Sequence, residues 1–479
     1  MRPRRAAAVA ATLLLPGCAA VGPDYRRPPL EAPPRWSAGQ LPAAAAPGLE
    51  QVAWWKNFGD AHLDRLLEQA VDANLDLVQA QARVLQARAA LIAAGAARAP
   101  QLAASASLAR SRSSENSLPG AAAGQVTSLY QGGFDARWEI DLFGGLRRGV
   151  EAADARLAAS IEQRHATLLT LLAEVARNYL LLRAGQEQLA ITRRDIARQQ
   201  ETLAVTRQRH GLGLAPYFDV TLAEAQLAAD TANIPAQETA IKAALHRLGV
   251  LLGRAPADTL PELATPRPLP QPGALDTAGL PSELLARRPD LRQAERELAA
   301  ASADVGAALA ELYPKFDLTL GLGLQAARPA LLGRAASRIW SVVPGLSMSV
   351  FDAGRRRALV AGRSAVHDEL RAKYQAAFLS ALEEVENSLT AFYAEQQRRT
   401  LLAEAVTANE QAVALAGERY RRGLTSFLEV LTAQTLLYAS QRKLAQSQAD
   451  LVTGLVALYK ALGGGWQAAP GAGGSDAGG

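Results

Sequence analysis

The sequence predicts a mainly α-helical chain that carries a small transmembrane β-sheet and is built from two internal repeats. Three observations predict it. Residues 209–253 pair with 419–463 at a constant offset of 210 and without gaps. Each half so defined holds a helical run of more than sixty residues. Between the helical runs the hydrophobic period falls from 3.6 to two over segments of about 9 to 11 residues, the length of a transmembrane strand.

The chain opens with Arg2, Arg4 and Arg5 and then the apolar run 6–15. A basic segment followed by an apolar one reads as a secretory signal, here residues 1–17. The apolar part falls well short of the roughly 18 residues of a spanning helix, as does every later charge-free segment. Export without a helical anchor is therefore expected. The only cysteine, Cys18, follows at once, with Leu15 at minus three and Gly17 at minus one. This arrangement resembles a bacterial lipobox, which implies that Cys18 becomes the lipidated first residue of the mature chain. Two or more acyl chains give stable attachment where one is marginal. Ala19 in place of Asp implies sorting to the outer membrane.

Without the signal, 48 basic side chains face 46 acidic ones, so nucleic acid is not an implied partner. A single cysteine allows no internal disulfide, and the five histidines are too scattered for metal-ligand spacing. No GxSxG, HExxH, GxGxxG or Walker pattern occurs, so no metal, cofactor or catalytic residue is expected and the chain does not read as an enzyme.

Residues 18–60 read as an extended lipidated segment, 61–253 as the first repeat, 254–281 as a proline-rich extended connector, 282–463 as the second repeat, and 464–479 as a disordered glycine- and alanine-rich tail. The offset of 210 also places Gly144 on Gly354, Val150 on Val360 and Glu174 on Glu384. Earlier it becomes 214, with Asp76 on Asp290 and Pro100 on Pro314.

A helical pattern spans Leu63 to Arg98, and a second spans Gly145 to His210 with Val150, Leu157, Leu168, Val175 and Leu182 on its seam. At about 1.5 Å per residue the second helix approaches 100 Å. Its counterpart covers Ala353 to Arg422, and a further helix starts after each of Gly213 and Gly423, so both halves end in a helical hairpin. Strands are predicted at about 100–110, 130–143, 314–325 and 338–351. In the second, Tyr130, Phe134, Trp138 and Ile140 alternate with Gln131, Asp135, Arg137 and Glu139; in the third, Phe316, Leu318, Leu320 and Leu322 alternate with Lys315, Asp317, Thr319 and Gly321. Trp138, Tyr130 and Trp340 are placed to supply an aromatic girdle. The segments 110–129 and 326–337 are the connecting outer loops.

Four strands cannot close a barrel, which needs about eight. In lipid an open edge leaves backbone groups unpaired at several kcal/mol each. Copies must therefore share the wall, with eight strands in a dimer or twelve in a trimer.

The ordered motifs Val21-Gly22-Pro23-Asp24-Tyr25, Trp54-Trp55, Asn74-Leu75-Asp76-Leu77, Trp138-Glu139-Ile140-Asp141-Leu142-Phe143-Gly144, Arg288-Pro289-Asp290-Leu291 and Phe351-Asp352-Ala353-Gly354 resemble those of the TolC-like outer-membrane factors, in the lipoprotein branch of OprM and NodT. The resemblance covers nearly the whole mature chain. It implies a homotrimer with a twelve-strand barrel in outer-membrane lipid, a long helical periplasmic barrel, and service as the exit duct of a tripartite efflux or secretion system. Its partners would be a periplasmic adaptor and an inner-membrane transporter. At the hairpin ends, Gly211, Gly213, Leu214, Gly423 and Leu424 would contact the adaptor. Arg419 and Tyr420 match a pair that holds such tips closed, and Glu429 and Asp219 match an acidic ring that favours cations. On their own, Asp219 and Glu429 read as first-turn carboxylates that complement a helix dipole. The rival class is a periplasmic adaptor or coiled-coil lipoprotein without a pore, which has no need of strands with a lipid-facing side.

Overall fold

The computed structural model describes residues 20–37, 53–116, 124–256, 258, 261–273 and 284–467. Cys18, the signal segment and the tail beyond 467 lie outside them. In chain order the elements are α1 (Ala61–Ala73), α2 (Leu75–Ala96), β1 (Gln101–Arg112), β2 (Val126–Ile140), α3 (Gly145–Gly211), α4 (Tyr217–Thr231) and α5 (Ile234–Leu251). The short α6 (Pro261–Ala264) and α7 (Leu284–Arg287) lead to α8 (Pro289–Ala310), β3 (Lys315–Ala326), β4 (Arg338–Ser347), α9 (Arg355–Arg421) and α10 (Phe427–Ala461).

The duplication survives folding to the residue. Helices α3 and α9 are each 67 residues long and start and stop 210 positions apart. Left-handed glycines recur at the same spacing, with φ of 79° and 87° at Gly144 and Gly354 and 69° and 72° at Gly253 and Gly463.

Two expectations about the helices are corrected. The helical run from Leu63 is broken at Asn74, whose extended backbone frees its side chain to cap α2, Oδ1 accepting from the amides of Asp76 (2.9 Å) and Leu77 (3.1 Å). Nδ2 donates to Leu251 O at 3.0 Å. The helix after Gly213 is also two pieces. Pro235, the second residue of α5, has no N–H to donate to Thr231 O and so cannot continue α4; at the break the Asn233 amide turns to Asp230 O (3.2 Å) and its side chain donates to Ala229 O (3.2 Å). The repeat carries Ala445 at that position and α10 runs unbroken.

The chain divides into two compact units. The first comprises Met1–Pro29, Arg83–Ile161 and Gln293–Gln375 and holds the sheet. Its strands lie in the order β1-β2-β3-β4, all antiparallel, so β1 and β4 are open edges. The register sets Ala104, Phe134, Leu322 and Trp340 in one cross-strand row and Leu102, Ala136, Leu320 and Val342 in the next. On the other face Asp135 accepts from Ser105 Oγ at 3.1 Å and Arg137 lies 3.6 Å from Asp317. Leucines, Phe134 and Trp340 on the apolar face are exposed, Trp340 by 77%. The strand limits also differ from the expected ones. β1 and β2 extend into the outer loop, pairing Arg110 with Ser128 and Arg112 with Val126. β4 stops at Ser347, because that residue pairs with Lys315, the first residue of β3, and Met348 to Val350 have no strand to pair with.

In the same unit the segment after Cys18 is a strap. Val21 N–H donates to Phe143 O at 3.0 Å, and the buried Arg148 guanidinium donates to Val21 O (3.3 Å), Gly22 O (3.2 Å) and Asp24 Oδ1 (2.8 Å). Gly22, at φ 94°, sits where a Cβ would come within 2.5 Å of Gly306 Cα. Tyr25 OH donates to Glu295 at 3.2 Å.

The second unit comprises Leu30–Ala82, Glu162–Arg292 and Ala376–Gly479. Its core packs Trp54, Leu67, Leu172, Tyr179, Val385 and Leu455, with Trp54 stacked on Tyr459 at 5.4 Å. The proline-rich connector, expected to stay extended and unpacked, forms α6 and buries Leu263 and Leu269 in this core. It is tied down by the fully buried Arg183, which donates to Thr265 O at 2.9 Å and lies over the Tyr179 ring at 5.0 Å. Tyr179 OH donates to Asp60, whose other oxygen caps α1 by accepting from His62 N–H at 2.8 Å.

Candidate functional site

The two hairpin tips, both in the second unit, close by the same hydrogen bonds. Leu214 N–H donates to Arg209 O (2.8 Å) and Gly213 N–H to His210 O (2.8 Å); 210 residues on, Leu424 N–H donates to Arg419 O (2.9 Å) and Gly423 N–H to Tyr420 O (2.9 Å). This is the Schellman pattern, in which the residue after the helix must turn left-handed. Gly213 and Gly423 both have φ 73°, and a Cβ on either would meet nothing within 4 Å, so backbone conformation alone demands glycine there. Gly211 is the last residue of α3 and is not left-handed.

Past each turn Asp219 and Glu429 occupy the third positions of α4 and α10, where a carboxylate meets the positive helix end. Glu429 is exposed; Asp219 is half-buried, and burial raises its carboxyl above the ordinary range. Neither N-cap residue, Pro216 or Ser426, makes a side-chain cap, so these first turns depend on the carboxylates.

The tips pack on each other through Leu203, Val220, Ala223, Tyr420, Phe427 and Val430. Tyr420 is buried with its ring 5.9 Å from Phe427, and its hydroxyl has no hydrogen-bond partner among the described residues. The arginine against it is Arg209, with its guanidinium 4.7 Å above the ring, and not Arg419. Arg419 is exposed, because neighbours on a helix point about 100° apart and cannot share one face.

The duplication is broken here in one respect that the sequence did not reveal. Tyr420 and Phe427 turn inward; their equivalents His210 and Tyr217 turn outward, with rings 5.5 Å apart and Tyr217 exposed. His210 Nδ1–H donates to Ala215 O at 2.9 Å, which fixes the proton on Nδ1 because a carbonyl only accepts. Leu212, Leu214, Tyr217, Phe218, Leu424 and Leu428 are 57 to 68% exposed, an apolar surface spread over both tips. Among the described residues no group of three or more metal-ligating side chains is assembled.

A four-strand sheet open at both edges and apolar on one exposed face, in a chain whose two 67-residue helices each turn back through a glycine-closed hairpin, defines an outer-membrane channel protein. The chain belongs to the outer membrane efflux protein family, whose family model matches residues 66–254 and 280–464. It is 33% identical over 466 residues to the pyoverdine export outer membrane protein OpmQ of Pseudomonas aeruginosa, covering 96% of each chain. It is 32% identical over 465 residues to the toluene efflux pump outer membrane protein TtgI of Pseudomonas putida, covering 95% of this chain and 97% of that one. Its structure is similar to that of the outer-membrane channel OprN, at a TM-score of 0.88 and 36% identity over 94% of this chain and 100% of the other. The resemblance, the fold class and the efflux-channel reading are thus borne out, and the adaptor alternative falls away. Family and fold are those of channels rather than enzymes.

Proposed function

We propose that the chain is the passive exit duct of a tripartite efflux system, closed as a homotrimer with a twelve-strand barrel and anchored through lipid on Cys18. The observation that carries the reading is the four-strand sheet, open at β1 and β4 and apolar on its exposed face. Such edges are stable in lipid only when paired with the edges of other copies. The outward-turned pair His210 and Tyr217 supports the same conclusion, since it is the counterpart of a pair that is buried on the other hairpin. The chain does no chemistry; energy and choice of cargo belong to an inner-membrane transporter, reached through a periplasmic adaptor that docks on the tips around Gly211, Gly213, Leu214, Gly423 and Leu424. Asp219 and Glu429, three copies of each, form the acidic constriction; the exposed Arg419 bonds to the neighbouring copy, and the buried Tyr420, under Arg209 of the other hairpin, holds the two hairpins of one copy together, so that the opening stays narrow.

The test is the mass and conductance of the purified protein. A particle of three chains that opens cation-selective steps in planar bilayers is expected. A non-conducting monomer after Cys18→Ser overturns the reading. The double variant Tyr420→Phe with Glu429→Ala is expected to raise conductance and weaken cation preference, and unchanged values would remove the tips from the gate.

A further inference from the structure

The lipid-facing rows of the sheet end in charge at one end only. At the helix end the last rows are Trp138, Leu318 and Pro344, then Ile140, Phe316 and Leu346, all uncharged. At the loop end Leu108 is followed on the same face by Arg110 and Arg112, and β4 opens with Arg338, which pairs with the lipid-facing Leu324. Segments 110–129 and 326–338 together carry five arginines and one acid, Glu115. Glu115 pairs with Arg112 at 3.2 Å. Arg110, Arg328, Arg334 and Arg338 are exposed and form no ion pair among the described residues.

The spacing sets the level of these charges. From Ile140 to Tyr130 the apolar face of β2 advances ten residues. At about 3.4 Å per residue and a tilt of about 40° that is about 26 Å of height, the thickness of an apolar barrel band. Arg110 and Arg112 lie one and two rows further out than Tyr130, at headgroup level; Arg338 shares the row of Leu324 and Gly132, one row inside Tyr130, and its long stem lets the guanidinium reach outward to the same level. When the barrel closes, β4 of one copy lies beside β1 of the next, which brings Arg334 and Arg338 together with the next copy's Arg110 and Arg112. Guanidinium groups favour phosphate by bidentate hydrogen bonding.

We propose that this seam binds the phosphates of a bisphosphorylated glycolipid in the outward leaflet. The site faces hydrocarbon below and water above, so its ligand must carry both acyl chains and phosphate, which excludes a soluble anion as the intended occupant. The proposal rests on the closed-trimer reading, so the experiment uses detergent-purified protein already shown to conduct as a trimer. Fluorescent lipid A with two phosphates is titrated against wild type and against Arg110→Gln with Arg338→Gln, alongside dephosphorylated lipid A, phosphatidylglycerol and inorganic phosphate. Each neutralised arginine is expected to weaken binding of the bisphosphorylated lipid about fivefold, and lysine at both positions to restore only part of it, because the charge returns without the bidentate fork. Both glutamines together, with the trimer and its conductance intact, should leave binding of dephosphorylated lipid A unchanged. Equal binding of dephosphorylated lipid A or phosphatidylglycerol by wild type, competition by millimolar inorganic phosphate alone, or wild-type affinity in the double variant would each overturn it. A preparation that forms no conducting trimer overturns the barrel reading instead.

Discussion

Asp195 of α3 and Asp230 of α4 are both buried, and Gln199 Nε2 donates to the two of them, at 3.0 and 2.6 Å. Gln226 adds a second amide to Asp230 at 2.8 Å. Burial above all, and then the charge of Asp230, push the Asp195 carboxyl up to about 6, against the smaller opposing pull of Gln199 and Arg198. An unfolded aspartate releases its proton near 3.9. Between these values the native state holds more protons than the unfolded one, so stability is highest below about pH 4 on this account and is lost as pH rises through 6. The whole difference is worth about 3 kcal/mol. Asp195→Asn keeps the shape and removes the charge, so it is expected to raise the thermal midpoint at pH 7.5 and to give no gain near pH 4. Melts followed by circular dichroism at both pH values decide it; an equal gain at both would mean that the charge is not the cause.

At the scale of elements, what was legible in the sequence is what the periods carry. The offset of 210 located α3 and α9 to within two residues at either end, and the alternation of Phe134 with Asp135 or Leu320 with Gly321 assigned the faces of the sheet correctly. Features set by a single side chain against the backbone were less legible. Asn74 interrupts an unbroken apolar stripe with a cap, and the length of β4 is decided by where its partner begins. Pro235 was visible in the sequence, but the gapless match to residues 419–463 concealed its effect, because the repeat tolerates Ala445 where α5 starts. At the tips the sequence placed Tyr420 and Glu429 on the right turn, yet the partner of Tyr420 comes from the other hairpin, a choice that only packing makes. Pro235→Ala restores the missing donor, and α4 and α5 are then expected to join as α10 does. Since Pro in a first turn leaves no bond unmade, the gain in stability is at most about 1 kcal/mol. Hydrogen exchange is the sharper measure: amides 232–234 and 236 should become at least tenfold more protected, and unchanged exchange would show that packing, not the proline, breaks the helix.

For the whole molecule the decisive question is which side of the sheet meets lipid, since the same alternation would serve a soluble sheet turned the other way. Leu322 lies in the central row with Phe134 and Trp340, all three well exposed, while Gln325 lies on the opposite face beside Gln131. An arginine at mid-depth on a lipid-facing strand costs about 2 to 4 kcal/mol per copy, and about 0 to 1 near the rim. Leu322→Arg is therefore expected to reduce the yield of heat-resistant trimers severely when the protein is folded into lipid vesicles. Leu346→Arg, in the last apolar row at the helix end, should reduce it mildly, and Gln325→Arg, facing a water-filled lumen, hardly at all. The ranking follows from depth and face alone, because none of the three side chains makes an ion pair or side-chain hydrogen bond among the described residues. Were Gln325→Arg as damaging as Leu322→Arg, the sheet would have no lipid side, and the need for other copies to seal it would disappear with that distinction.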